Sequence, residues 1–369
     1  MAQRPHDPPV TVTAPAAPGG QEVTTTKRTE APAAAPEART ATAGEVLAGY
    51  LHAQATEFLR SLRLHGESGC DAEDAGEASR LLRRSARRIA GTLHVYRPLT
   101  DAAWADPLRA ELAWLSDVLG HEHAFAARLV RLRGALHRLS GEGAADGAGL
   151  TVGAARAGAL LDRRLTLARA RAHSAALQAL GSSRFHGVAD SVAVLASDAP
   201  LDPAAYGLPA HQALEHLVEQ AHRGLTEAVE ALPLAVAGLP YNAEALAHGL
   251  AAAPASDAEP AEARQDVPWH RVRRLVRLRR YAQEVLDERQ QAEAEPTLSV
   301  RLLAAGQALD RHRDAAEAAL AASAAARTPR IAPATAYALG VLHADQRHEV
   351  EAARYAFDRI WQRLTGAVA

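Results

Sequence analysis

Two short arginine-rich segments constrain this chain more than any other feature, and the second of them, residues 269–282, is the clearer. It contains six arginines and no acidic residue. At about 100° per residue, a helix would collect its polar groups on one face and its apolar groups on the other. The polar face would carry His270, Arg273, Arg274, Arg277 and Tyr281, and the apolar face Val272, Leu275, Val276, Ala282 and Leu286. The segment is therefore predicted to be a helix with one face in a core and the other cationic.

The same spacing occurs earlier in the chain, where five arginines follow the helical pattern i, i+3, i+4, i+7 and i+8. These residues are Arg80, Arg83, Arg84, Arg87 and Arg88. A shift of 190 positions places Arg83 on Arg273 and Arg87 on Arg277, and it also carries His123 onto Arg313. The register therefore continues into the following helix without a gap. We interpret the pattern as an internal duplication.

The positive charge of the two arginine stripes requires a negative countercharge. Neither stripe contains an acidic residue three or four positions from its arginines, so pairing within the helix is not expected to neutralise it. An external anion could supply the countercharge, and so could acidic groups on neighbouring helices. The formal net charge of the chain is only −2, which argues against a globally basic protein that coats nucleic acid. We favour a local anion site, because charge clustered on one face is typical of phosphate recognition.

Composition bounds the fold class and the compartment. Aromatic residues make up 4% of the chain, and Ala, Leu and Arg dominate it, which favours helices over sheets. Cys70 is the only cysteine, so an intramolecular disulfide and a cysteine-based zinc site are excluded. Residues 1–40 are rich in Pro, Ala, Thr and Glu and contain no apolar run of the length of a signal peptide or membrane span. We expect a disordered tail here and a cytoplasmic protein.

Apolar periodicity predicts an all-α chain. Helices are expected at about residues 43–64, 77–96, 106–139, 269–291, 297–325 and 334–364. Three further helices are expected: one ends near residue 180, one follows residue 182 and one starts near residue 209. Asp106 and Pro107 look like the N-cap and first turn of the third helix. Residues 236–267, rich in Pro, Ala and Gly, are expected to form a mobile loop that ends in an acidic stretch.

Several motifs occur in a fixed order between residues 41 and 369. They are Glu45-Val46-Leu47 with Tyr50, Leu51 and Gln54; Arg87-Arg88-Ile89 through Tyr96-Arg97-Pro98-Leu99; residues 107–112 with Trp114; His270, Arg273 and Arg277 followed by Arg280-Tyr281-Ala282; His312-Arg313-Asp314; and Ala338-Leu339-Gly340 with Arg354, Phe357, Trp361 and Leu364. In this order they resemble CHAD domains, the conserved-histidine α-helical domains.

The resemblance implies an all-α domain of two pseudo-symmetric helical bundles, residues 41–205 and 206–369. Basic helices of the two bundles would face each other across a central cavity that binds inorganic polyphosphate. The residues implied in polyphosphate binding are Arg80, Arg83, Arg84, Arg87, Arg88, His270, Arg273, Arg274, Arg277, Arg280, Tyr281, His312 and Arg313. Association with polyphosphate granules in the cytoplasm would follow, with no specific nucleic-acid or membrane partner.

The first half departs from the family pattern at several positions. Arg80 stands where the family has a histidine, Ala90 replaces an arginine, and His123-Ala124 replaces an Arg-Asp pair. In the second half, Leu278 occupies a position where arginine is common. The first half-site is therefore altered, and the chain could instead be an interaction scaffold that docks an acidic protein or granule surface.

A metal-dependent phosphohydrolase is a third interpretation. His121-Glu122-His123 and His312-Arg313-Asp314 look like metal-site doublets, and Glu219 with His222 has the spacing used in di-iron bundles. That bundle needs the motif twice, and adjacent residues of a helix point about 100° apart, so no chelate is pre-arranged. No Gly-rich phosphate loop and no nucleophile elbow is present. We therefore predict no metal, no cofactor and no catalytic residue.

Overall fold

The computed structural model describes residues 41–67, 72–141, 148–234, 261–289 and 296–366, most of which are helical. The helices are α1 (Ala43–Glu67), α2 (Ala72–Val95), α3 (Ala102–Gly141), α4 (Ala148–Leu180), α5 (Ser183–Ser197), α6 (Ala210–Glu230), α7 (Ala261–Arg289), α8 (Pro296–Ala326) and α9 (Pro333–Thr365). Short 3-10 turns lie at Arg97–Leu99 and Pro203–Gly207. The described ranges contain no strand, and the all-α prediction is confirmed.

Local sequence explains where the first helices begin. Thr42 and Glu45 form a capping box at α1, in which the Glu45 amide donates to Thr42 Oγ1 (3.2 Å) and the Thr42 amide donates to Glu45 Oε2 (2.8 Å). The predicted start of α3 at Asp106 is wrong. Asp101 caps this helix by accepting from the Ala103 amide at 2.9 Å, and α3 runs through Pro107 as an internal residue. Asp106 is instead bound by arginines, because Arg97 Nη2 donates to its carboxylate at 2.8 Å.

The start of α7 also differs from the prediction. Residues 261–267 were expected in a mobile loop, but they form the first two turns of α7, and the Asp266 side chain is buried. The other residues of the expected loop up to position 260 and the expected N-terminal tail lie outside the described residues. The division into halves at residues 205 and 206 stays a prediction; residues 40–369 form one compact unit.

The helices pack in the same order in both parts of the chain. α1, α2, α3 and α4 each contact the next, and so do α6, α7, α8 and α9. α2 also packs against α7, and α4 against α9, which joins the two sets. This repeated order is consistent with the pseudo-symmetric bundles implied by the 190-residue offset.

Apolar clusters between these helices bury the faces opposite the arginines. One contains Leu82, Ile89 and Leu93 of α2 with residues of α1, α3, α5 and α6. A second contains Trp269, Val272 and Val276 of α7 with residues of α8 and α9. Burial of these faces fixes the rotation of α2 and α7, so their arginines are directed away from the cores.

Candidate functional site

The helices α2 and α7 cross at a glycine. Gly91 lies under the Tyr281 ring, and a Cβ atom at this glycine would stand 2.4 Å from Tyr281 Cδ2. Beyond the crossing, the Tyr96 hydroxyl donates to the Ala282 carbonyl oxygen at 2.9 Å. Gly91 and Tyr281 are 190 positions apart, so residues equivalent under the duplication meet each other here, as is expected near a pseudo-two-fold axis. The close approach places the arginine faces of α2 and α7 side by side.

A cavity of about 700 Å³ opens between α2, α7 and the start of α8. All five arginines of the first stripe line it, together with Arg280 and Tyr281 of α7. A neighbouring cavity of about 300 Å³ is lined by Arg313 of α8 and by Arg128 and Arg131 of α3. The two cavities share Arg83 and His123, so they form one basic groove that runs from α2 and α7 towards α3 and α8.

Guanidinium groups in and beside this groove repel one another, although Arg273 and Arg277 line neither cavity. Burial, followed by the positive charges of Arg87, Arg313 and Arg273, lowers the pKa of Arg83 to about 10. Burial, followed by the charges of Arg87 and Arg273, lowers the pKa of Arg277 to about 9. The pKa of Arg273 is lowered by burial first and then by Arg313. An anion among these groups would relieve both the burial cost and the mutual repulsion.

Acidic groups neutralise part of the groove. Glu284 binds Arg88 (Nε to Oε2, 2.7 Å) and lies 3.4 Å from Arg280 Nε. Asp310 of α8 binds Arg273 and lies 3.7 Å from Arg277 Nη2. Asp314 pairs with Arg313, and Glu77, three residues before Arg80, pairs with that arginine. The expectation that no acid pairs within the helix therefore fails for Arg80 and Arg280, and neighbouring helices supply further carboxylates.

Sequence reasoning missed the contribution of α3. Arg83 Nε donates to the Ser116 carbonyl oxygen at 2.8 Å, and its guanidinium lies over Gly120. A Cβ atom at Gly120 would stand 2.5 Å from Arg83 Nη2, so only glycine leaves room for this orientation. Arg128 and Arg131, one turn apart on α3, were not predicted either. Arg131, eight positions after His123 and so on the same face of the helix, was the signal available in the sequence.

The structure does not bring His312 into the groove. His312 is 1% exposed, its ring stacks on Trp269 at a centroid distance of 5.5 Å, and its Nε2 lies 3.2 Å from Asp266 Oδ1. Its predicted ligand role therefore has no geometric support, because the apolar face of α7 and the buried Asp266 enclose the ring. Burial is the main cause that lowers its pKa, followed in that direction by Arg354.

Two further predicted residues lie at the margin of the site. Arg274 is exposed and is absent from the lining of both cavities; its charge acts on His94 at the end of α2, whose pKa is lowered chiefly by burial. The His270 ring is half-buried and lies 5.6 Å from the His312 ring. Burial lowers the pKa of His270, which keeps it neutral near pH 7. Neither residue lines the groove.

Two other kinds of feature are absent from the described part of the chain. Within those ranges, no three His, Cys, Asp or Glu side chains stand together as a metal site would require. None of the described helices is both long enough and apolar enough to cross a bilayer.

Comparison with known proteins assigns this helical chain to a family. The family model described as CHAD domain matches residues 53–323, and the chain belongs to this family. Among solved structures, PptA from Streptomyces chartreusis is 55% identical, with 87% of this chain and 100% of that chain covered and a TM-score of 0.70. The CHAD domain from the plant Ricinus communis is 21% identical, with 86% and 92% covered and a TM-score of 0.53, and shows likeness of fold. No curated protein sequence matches the chain.

Proposed function

We propose that this protein binds inorganic polyphosphate, or a similar linear polyanion, in the groove between α2 and α7 and catalyses no reaction on it. The observation that carries the proposal is the convergence of Arg83, Arg87, Arg273 and Arg277, whose charges act on one another. Such a cluster is stabilised by an anion that reaches several guanidinium groups at once. Membership of the CHAD family supports the same conclusion.

The shape of the groove favours a linear ligand over a compact one. The two cavities meet at Arg83 and His123, so a chain that enters beside Arg88 can continue past the centre towards Arg128. Each guanidinium group can bind two phosphate oxygens through parallel hydrogen bonds. Such contacts recognise the charge and spacing of the phosphates and involve no nucleobase edges. We infer that the ligand is recognised by its regular row of phosphates.

The test is retention on immobilised polyphosphate by the variant Arg273→Glu with Arg277→Glu. Each charge-assisted hydrogen bond contributes about 1.5–3 kcal/mol, so loss of two arginines lowers the affinity by at least about 100-fold. Retention at low salt is expected to disappear while helicity measured by circular dichroism is unchanged. Arg163→Glu with Arg171→Glu, on the exposed face of α4, is the control with the same change of charge. Equal retention of the two variants would refute the groove as the binding site.

The scaffold interpretation has one observation in its favour, because carboxylates already bind arginines in the groove through Glu284 and Asp310. Competition separates the two functions. If polyphosphate is the ligand, it displaces bound polyglutamate at much lower concentrations than polyglutamate displaces polyphosphate; the reverse order would favour an acidic protein partner. A cytoplasmic location at polyphosphate granules, with no membrane or specific nucleic-acid partner, belongs to the same proposal.

A further inference from the structure

Two carboxylates already pair with arginines that the proposed ligand would bind. Glu284 on α7 accepts hydrogen bonds from Arg88 at 2.7 Å and from the Tyr50 hydroxyl at 3.0 Å, and it lies 3.4 Å from Arg280. Asp310 on α8 accepts from Arg273 and lies 3.7 Å from Arg277. Each carboxylate therefore contacts two arginines of the proposed binding site.

These carboxylates are at least as exposed to solvent as the arginines they contact. The Asp310 side chain is 50% exposed, whereas the side chain of its partner Arg273 is 15% exposed. Glu284 borders the cavity wall and is 26% exposed. Both can therefore rotate towards water when a stronger anion approaches. A carboxylate with a purely structural role, such as Asp266, has instead a side chain that is 3% exposed and is enclosed by its cationic partners.

We propose that Asp310 and Glu284 are internal anion mimics that a polyphosphate chain displaces. Because a ligand must compete with both carboxylates, they set a minimum negative charge for binding. The inference rests on the function proposed above. An orthophosphate ion that replaces one carboxylate exchanges one charge-assisted pair for another and gains little. A chain of tethered phosphates displaces both carboxylates and also binds Arg83 and Arg87, which gives it the advantage of high effective concentration. The carboxylates thereby discriminate against orthophosphate.

The experiment compares Asp310→Asn, Glu284→Gln and the double variant with the wild-type protein. Each single change is expected to tighten binding of polyphosphate about tenfold, equivalent to about 1.4 kcal/mol, because the freed arginines bind phosphate and one repulsive charge is lost. Orthophosphate, tested by itself, is expected to raise the thermal unfolding midpoint of the double variant and to leave that of the wild type unchanged. Glu111→Gln is the control, since Glu111 pairs with Arg184 outside the groove, with Arg184 Nε 2.6 Å from Glu111 Oε2.

The direction of the change in polyphosphate affinity tests the inference. If the carboxylates serve to orient the arginines for the ligand, both variants bind polyphosphate more weakly than the wild type, and the inference is wrong. Unchanged affinity, or a gain equal to that of Glu111→Gln, overturns it as well. Failure of the wild type itself to bind polyphosphate would overturn the proposed function. The two failures are thus distinguishable in one set of measurements.

Discussion

At the scale of single residues, Asp266 shows how a carboxylate contributes to the fold. It is 2% exposed and binds Arg354 Nη2 at 2.8 Å and Arg347 Nη1 at 2.9 Å, which ties the start of α7 to α9. Burial acts to raise its pKa, but the hydrogen bonds from His312 and Arg347 outweigh burial and lower the pKa to about 2. Because the folded-state pKa is lowered, the stabilisation is present above about pH 4 and is lost as the pH falls towards 2.

Asp266→Asn is expected to destabilise the protein by about 3 kcal/mol, because it leaves two arginines buried with a neutral partner. The measurement is the urea midpoint of unfolding at pH 7 and at about pH 3. The difference between variant and wild type should shrink at the lower pH, where Asp266 begins to be protonated. Glu111→Gln, which removes the carboxylate of an exposed ion pair with Arg184, is the comparison and should change the midpoint little. A similar loss in both variants would contradict the assignment of Asp266 as the structural carboxylate.

At the scale of helices, the crossing of α2 and α7 determines how closely the arginine faces approach. Gly91→Ala is expected to cost about 1–3 kcal/mol, because the new methyl group would overlap the buried Tyr281 ring and push the helices apart. The affinity for polyphosphate should also fall in this variant, because Arg87 and Arg277 would move apart. Thermal unfolding and polyphosphate titration measure the two effects.

Gly134→Ala on α3 is the matched control for this crossing. Gly134 lies mid-helix, and a Cβ atom there would have nothing within 4 Å, so alanine should stabilise the protein by about 0.5–1 kcal/mol through helix propensity. A Gly91→Ala variant that behaved like Gly134→Ala would show that the crossing is not tightly packed.

Sequence alone predicted the helices and the arginine faces, since a period near 3.6 fixes the angular position of each side chain. It could not predict which neighbour that face would meet. Arg274 and Arg277 share a predicted face, yet Arg277 is partly buried, where the charges of Arg87 and Arg273 act on it, while Arg274 is exposed. The bond between Arg88 and Glu284 joins residues 196 positions apart, and Asp266 lay in a stretch whose composition indicated a loop. Such pairings depend on helix crossings, which helical periodicity does not encode.

At the scale of the whole molecule, a chain with a net charge of −2 concentrates positive charge in one groove. The two predicted repeats contribute to the same field, because Arg273 and Arg313 of the second lower the pKa of Arg83, after burial and Arg87. Arg87 of the first repeat acts in the same way on Arg277. The departures of the first half from the family pattern lie at Arg80, Ala90 and His123-Ala124, and they leave Arg83 and Arg87 in place. We therefore expect the first half-site to bind.

Matched double variants, Arg83→Gln with Arg87→Gln and Arg273→Gln with Arg277→Gln, test this expectation. Binding of polyphosphate should weaken with salt at a slope of roughly 0.7 per phosphate neutralised, measured between about 50 and 200 mM salt. Each double variant removes two contacts, so each should lower the slope by about 1.4 and weaken binding by a similar factor. If the slope falls only for the second pair, the ligand is held by one repeat. If both fall equally, the chain of phosphates contacts both repeats at once, as two arginine faces on one groove require.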